Sequence, residues 1–269
     1  MNSECAISVL QDLLRVYDHR FLDLDGPQRE RLVDGTRRML GDEDLSDAAR
    51  AALPSAYRLR AFCIRHGLRE ELERMIRDEV AGHRVGAVVV GGRVYAMYPY
   101  LRGVPRQDAD ITAEVGVEHR LDAVGWHGGR MRIRGRAVIE RVEARRTQVE
   151  IVLREGGSGA EHRCAAGPLE DGFEAAGIAV PGPGLWEVHV AASTLGLTRE
   201  ARLGPVRGPR LKTEPQRRSL GAAGQGTILF TDGGHLAVRV EGGDGDDEAR
   251  AGGWWRPGAR LRRLVPWKG

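Results

Sequence analysis

Four arginines at alternate positions, Arg130, Arg132, Arg134 and Arg136, make the sharpest chemical feature of this chain. In an extended strand, residues two apart share a face at a spacing of about 6.6 Å. The four guanidinium forks would then line one side of a sheet, where they could grip successive phosphates of an anionic polymer. The competing reading is a solvated outer face in an arginine-biased protein, with Glu140 and Glu150 as cross-strand partners. Because exposed ion pairs are common and weak, the solvated face is the favoured of the two. Trp126 could stack on the apolar face of a sugar ring, although a tryptophan beside a strand more often packs in a core or covers a sandwich end. Trp186, in phase with Val188 and Val190, reads as core. Tyr95, Tyr98 and Tyr100 could line a groove, but packing a hairpin against helices is favoured.

Other chemistry is absent from the spacing. Asp108-Ala109-Asp110 spells D-x-D, yet no apolar strand precedes it and divalent ions need convergent oxygens, so a solvated turn is expected. The eight histidines show neither H-x-x-x-H nor H-E-x-x-H, which argues against metal ligation. His189 alternates with apolar neighbours and is expected to face solvent. No serine occupies G-x-S-x-G, and the glycine-rich stretches at 156–159 and 221–226 lack the G-K-S/T of a phosphate loop. Cys5, Cys63 and Cys164 have no C-x-x-C spacing, which argues against disulfides and zinc and fits a reducing compartment. The expectation is therefore no catalytic residue, no metal and no cofactor on this chain.

The elements that must position these side chains fall into two textures. Leu10, Leu13, Leu14 and Tyr17 recur at helical spacing. Pro27 suits the first turn of a helix carrying Leu32, Val33, Thr36 and Leu40, and Ser46 suits the N-cap of a short alanine-rich helix. Pro54 opens another with Tyr57, Phe62 and Ile64, and Gly67 sits where a left-handed cap belongs before Leu68, Leu72, Met75 and Ile76. The texture then changes. Ala87–Val90, Gly91-Gly92 and Arg93–Tyr98 read as a hairpin, and 99–105 as a linker. Alternation predicts strands over Ile111–Ala123, Met131–Ile139 and Val149–Leu153, the first two joined through Trp126-His127-Gly128-Gly129. Weaker strands follow near Arg163 and Gly172, and clear ones around Trp186–Val190, Thr227–Phe230 and Leu236–Val240. Short strands with glycine-rich turns predict a sandwich.

The fold class is thus α+β: a small helical domain with a terminal β-hairpin (1–104), an antiparallel β-sandwich (105–241), and a low-complexity acidic linker with a basic, tryptophan-rich tail (242–269). The acidic run Asp244, Asp246, Asp247 and Glu248 reads as solvated linker, not as a calcium site. With 41% hydrophobic and 29% charged residues and a net charge of +3, the chain reads as globular and too weakly basic to argue for nucleic acid. Only Lys212 and Lys268 are lysines, so arginine bias is general. No export signal or membrane-length apolar run is read, and the cytoplasm is the expected location. Trp254, Trp255 and Trp267 with Arg262 and Arg263 would suit the surface of an anionic membrane, placing the chain peripherally at its inner face. A docked or disordered tail is the favoured alternative.

Two stretches carry a family resemblance. Tyr57, Leu59, Phe62, Arg65, Gly67 and Leu72 are followed by VVVGGRVYAMYPY, then by Leu121-Asp122-Ala123-Val124-Gly125-Trp126 and the strand RMRIRGRAVIERV. This order resembles the region downstream of the catalytic domain in bacterial family-2 glycosyltransferases, particularly wall teichoic acid and related cell-envelope enzymes, over roughly residues 1–240. The resemblance implies a helical linker and β-sandwich modules that follow a GT-A catalytic domain, whose nucleotide-binding motifs this sequence lacks. It implies a non-catalytic accessory role: positioning a GT-A domain or subunit, holding an anionic glycan or polyol-phosphate acceptor, or mediating homo-oligomerisation. The rival reading is a free-standing carbohydrate-binding module.

Overall fold

The computed structural model describes residues 3–83, 85–144 and 146–242. Six helices form the first layer: α1 (Ser3–Arg15), α2 (His19–Asp23), α3 (Gly26–Leu40), α4 (Asp47–Ala52), α5 (Ser55–Arg65) and α6 (Arg69–Val80). Their starts are chemically specified. Asp25 and Gln28 form a reciprocal capping box on α3 (2.7 and 3.1 Å), with Pro27 in its first turn, and Ser46 Oγ accepts from the Ala49 amide on α4 at 3.2 Å. Both satisfy amides that a helix leaves unpaired at its N-terminus. The five-residue α2 is too short to show a periodic stripe; Asp18 caps it and Phe21 anchors it in the core. Leu14, Tyr17, Leu59, Ile64, Leu72 and Ile76 fill that core at 1% exposure or less. Central to it is α5, which is buried nearly all round and carries even Arg58 and Arg60 inside.

A hairpin of β1 (Gly86–Val90) and β2 (Arg93–Met97) turns through Gly91 and Gly92, both at positive φ, as a two-residue hairpin demands. Its inner face, Val89 and the fully buried Val94, packs on the sandwich core, whereas Tyr98 and Tyr100 beyond it pack on the helices.

Eleven further strands make the sandwich: β3 (Val117–His127), β4 (Arg130–Ile139), β5 (Gln148–Glu155), β6 (Glu161–Ala165), β7 (Gly167–Leu169), β8 (Gly172–Ile178), β9 (Gly184–Thr194), β10 (Leu197–Arg202), β11 (Gln216–Ser219), β12 (Gln225–Phe230) and β13 (Leu236–Glu241). One sheet runs β3-β4-β8-β7. The other runs β11-β12-β13-β9-β5-β6, with β10 also paired to β9; every pairing is antiparallel. Leu121, Met131, Ile133, Ile151, Leu153, Val188, Val190 and Val238 fill the space between them at 1% exposure or less. The α+β class read from the sequence is the one observed.

Several local expectations are corrected. Residues 111–115 alternate but form a turn after an isolated bridge at Asp110, not a strand; Ile111 and Val115 are buried while Ala113 is exposed. A bulge at Asp122 sits between Leu121, which pairs with Gly135, and Ala123, which pairs with Arg134. The extra residue reverses the facing beyond it, so Ala123 is exposed while Trp126 packs against the core. Trp126 therefore belongs to β3, and the connection is only Gly128-Gly129. Asp108-Ala109 lies in a one-turn helix, α7 (Arg106–Ala109), and Asp108 is buried, so D-x-D is not a solvated turn.

Candidate surface on strand β4 and the joint behind it

Strict alternation on β4 puts Met131, Ile133, Gly135, Ala137 and Ile139 inside and the four arginines outside. Their carboxylate partner is neither Glu140, which accepts from the Gly116 amide, nor Glu150, which faces Arg163 on the other sheet at 3.5 Å. It is Glu174 of β8. One of its oxygens takes the Nε–H groups of both Arg132 (2.7 Å) and Arg134. These paired guanidiniums hold the Glu174 carboxyl down at about 2. Arg130 donates to the Gly177 carbonyl at 3.2 Å, and Arg136 meets no carboxylate among the described residues. Of the four guanidiniums, two thus share one carboxylate and two are in no ion pair among the described residues. Arg120 next to it is tied to Asp122 at 2.6 Å. Glu174 is legible as outward-facing, since Phe173 and Ala175 point in, but its adjacency to β4 bridges about forty residues of chain and has no sequence signal.

Gly135 permits this arrangement. A Cβ there would lie 2.3 Å from the Arg120 carbonyl and 3.3 Å from the Phe173 ring. Only glycine lets β3, β4 and β8 close around Phe173 without displacing backbone.

Trp126 extends toward the opposite sheet. Its indole N–H donates to the Gln216 carbonyl at 3.0 Å, and the Gln216 side chain returns a bond to Val124 O at 3.2 Å. The ring lies over Gly226, where a Cβ would come within 2.9 Å. That position joins β3 to β11 and β12, at the edges of the two sheets. Trp186, Tyr98 and Tyr100 also pack inward, and Tyr100 donates to Asp78 at 2.8 Å.

Between helices and sandwich lies a polar joint that the sequence reading missed. Arg58 directs its guanidinium to four carbonyls: Arg50 and Leu53 at 2.8 Å, Asp108 at 3.2 Å, and Asp110. Asp108 accepts from Arg50, and Asp110 from Arg93 and the Thr112 amide, each at 2.8 Å. Glu114 accepts from both the amide and hydroxyl of Ser55 at the start of α5 (2.6 and 2.7 Å), a favourable place for a carboxylate beside unpaired amides. Arg199 of β10 closes the joint on the Val115 and Thr112 carbonyls. With both aspartates so engaged, the D-x-D oxygens serve the joint.

On the outer face of the larger sheet, His189 is buried, not solvated, at 7% exposure. Its ring nitrogens lie 3.4 Å from Glu187 and 3.3 Å from Glu200, under the side chains of Arg154, Arg163 and Arg202 that pair with those acids. Burial, then the Arg154 charge, lowers its pKa. Cys63 is a buried thiol pushed up to about 12 by desolvation, which makes it a poor nucleophile. Among the described residues no group of three or more His, Cys, Asp or Glu is placed to hold a metal ion, and no helix is long and apolar enough to cross a membrane. Trp254, Trp255, Arg262, Arg263 and Trp267 lie outside the described residues.

No family model matches this chain, and no curated protein matches it. The crystal structure of S. aureus TarS superposes with a TM-score of 0.44 at 12% identity, covering 82% of this chain and 40% of that one. That of S. aureus TarS 217-571 superposes with a TM-score of 0.49 at 11% identity, covering 88% of this chain and 76% of the other. This chain spans about two fifths of the length of the longer TarS chain.

Proposed function

We propose that this chain serves as a non-catalytic accessory region of a cell-envelope glycosyltransferase of the teichoic acid type, with the β4 arginine face as the seat of an anionic acceptor polymer. The observation that carries the reading is the pairing on that face: of four regularly spaced guanidiniums, Arg132 and Arg134 share the one carboxylate of Glu174, and Arg130 and Arg136 are in no ion pair among the described residues. Guanidinium forks match phosphate geometry, and a regular spacing of about 6.6 Å suits a repeating chain better than a compact ligand. The order of helical linker, hairpin and sandwich, which resembles the region downstream of a GT-A domain, supplies the context. The joint around Arg58, Asp108 and Glu114 adds support, since a clamped joint holds a polymer on the sandwich at constant distance from a catalytic domain next to the helices.

The test is titration of the chain with poly(ribitol phosphate) at several salt concentrations. On this reading affinity falls steeply with salt, and the Arg132→Glu/Arg134→Glu double variant loses about tenfold or more, since each contact neutralises one phosphate. Salt-independent binding, or an unchanged affinity in the double variant, would overturn it.

A further inference from the structure

The polypeptide passes between the two sheets twice at one edge of the sandwich, from β4 to β5 by way of residues 140–144 and 146–147 and from β6 to β7 at Ala166. Ala166 is pinned there by its amide to Val149 O at 2.9 Å. Between the two crossings lies a cleft of about 1040 Å³. It shares Arg146, Gln148 and Ser193 with a neighbouring hollow of about 760 Å³ beside the β9–β10 turn. Together they form an elongated trough large enough for a short oligomer.

We propose that this trough binds a neutral, hydroxyl-rich chain, a glycan or polyol, at a site that adjoins the arginine face at Arg136. Its charge composition decides the ligand class. Among the described residues Arg136 and Arg146 contribute two guanidiniums, opposed by Glu170 and Asp171 on the β7–β8 turn and by Glu143 at the neighbouring hollow, while Glu150 is committed to Arg163. A phosphodiester offers acceptors only, so it would meet two guanidiniums and be repelled by three carboxylates. A sugar hydroxyl both donates and accepts, so it is satisfied by both signs at once and by the amide of Gln148 and the hydroxyl of Ser193. The apolar contact comes from Val138 and Leu169, large side chains left 44% and 45% exposed where they border the cleft; they suit the C–H face of a sugar ring. The sandwich thus divides the labour by charge: the Arg130–Arg134 stretch of β4 takes anions, and the trough beyond it takes hydroxyls.

The experiment uses the full chain on an array of neutral oligosaccharides and their phosphorylated counterparts, followed by calorimetric titration with the strongest neutral hit. A neutral hit is expected whose Kd moves less than about twofold on raising salt, because no ion pair is formed. Gln148→Ala/Ser193→Ala should weaken it about tenfold, the loss of roughly one to two hydrogen bonds. Asp171→Asn, on an exposed turn that leaves the core untouched, should weaken it in the same direction. Arg132→Glu/Arg134→Glu should leave it unchanged. Retention of no neutral glycan overturns the proposal, as does a hit indifferent to both cleft variants or one that fades with salt. Loss of poly(ribitol phosphate) binding in the β4 double variant, with the glycan hit intact, separates this site from the anionic one.

Discussion

Arg50 Nε donates to Asp108 Oδ1 at 2.8 Å, and the two side chains are only 12% and 8% exposed, so a largely desolvated ion pair joins α4 to the segment that enters the sandwich. Removing Asp108 leaves the desolvated Arg50 guanidinium only the longer contacts to the exposed Asp44 and Asp47, at 3.8 and 3.5 Å, which compensate a buried charge poorly. Asp108→Ala is expected to lower unfolding free energy by about 3 kcal/mol, measured by urea denaturation. Asp108→Asn, which keeps an acceptor, should lose less. A denaturation midpoint unchanged in Asp108→Ala would show that the joint contributes nothing to stability.

Glu174 restrains the arginine face by occupying Arg132 and Arg134 together. Glu174→Gln is expected to strengthen binding of inorganic polyphosphate and to steepen its salt dependence by about one unit of slope per guanidinium released. Since its carboxyl sits at about 2 in the fold against an ordinary value of 4.5, the wild-type contact persists well below pH 4.5 and is lost only as pH approaches 2. Affinity titrations over that range should show the variant and wild type converging at the acid end.

His189 gives stability a pH dependence of a stated sign. Its folded pKa lies below the ordinary 6.5 because burial, helped by Arg154, disfavours the imidazolium more than Glu187 and Glu200 favour it. The unfolded chain therefore binds this proton more readily. Stability rises with pH through this window, and the contribution diminishes as pH falls below 6.5. Thermal melts between about pH 7.5 and pH 5 should show a decline that His189→Gln flattens. An equal decline in the variant would assign it to other groups.

Gly135→Ala is expected to destabilise the protein by about 1–3 kcal/mol, the range for overpacking a filled core, because the added methyl meets the Arg120 carbonyl 2.3 Å away. A calorimetric melt is the measurement. An unshifted melting temperature would mean that β3 can withdraw from β4 at no cost.

Faces within one element were legible from sequence wherever the backbone stayed regular. The alternation of β4, the Gly91-Gly92 turn, the Ser46 cap, the Pro27 helix start and the stripe of α6 all follow from local periods and local hydrogen bonds, and all are observed. Reading stopped where one extra residue changed parity, as at Asp122, and where a short element showed no period, as in α2 and α7.

The sequence by itself determined which side chains share a face, because a pleated strand repeats every two residues and a helix every 3.6. Tertiary structure alone decided what each face meets. Glu174 reaches Arg132 and Arg134 because β8 lies beside β4, and Asp108 meets Arg50 across 58 residues of chain. His189 is buried because β5 and β10 flank β9 with long charged side chains that cover its outer face. The trough exists because two crossings between sheets fall at the same edge. Strand neighbours are chosen by packing of the whole core, a long-range competition that leaves no local imprint on the residues it brings together.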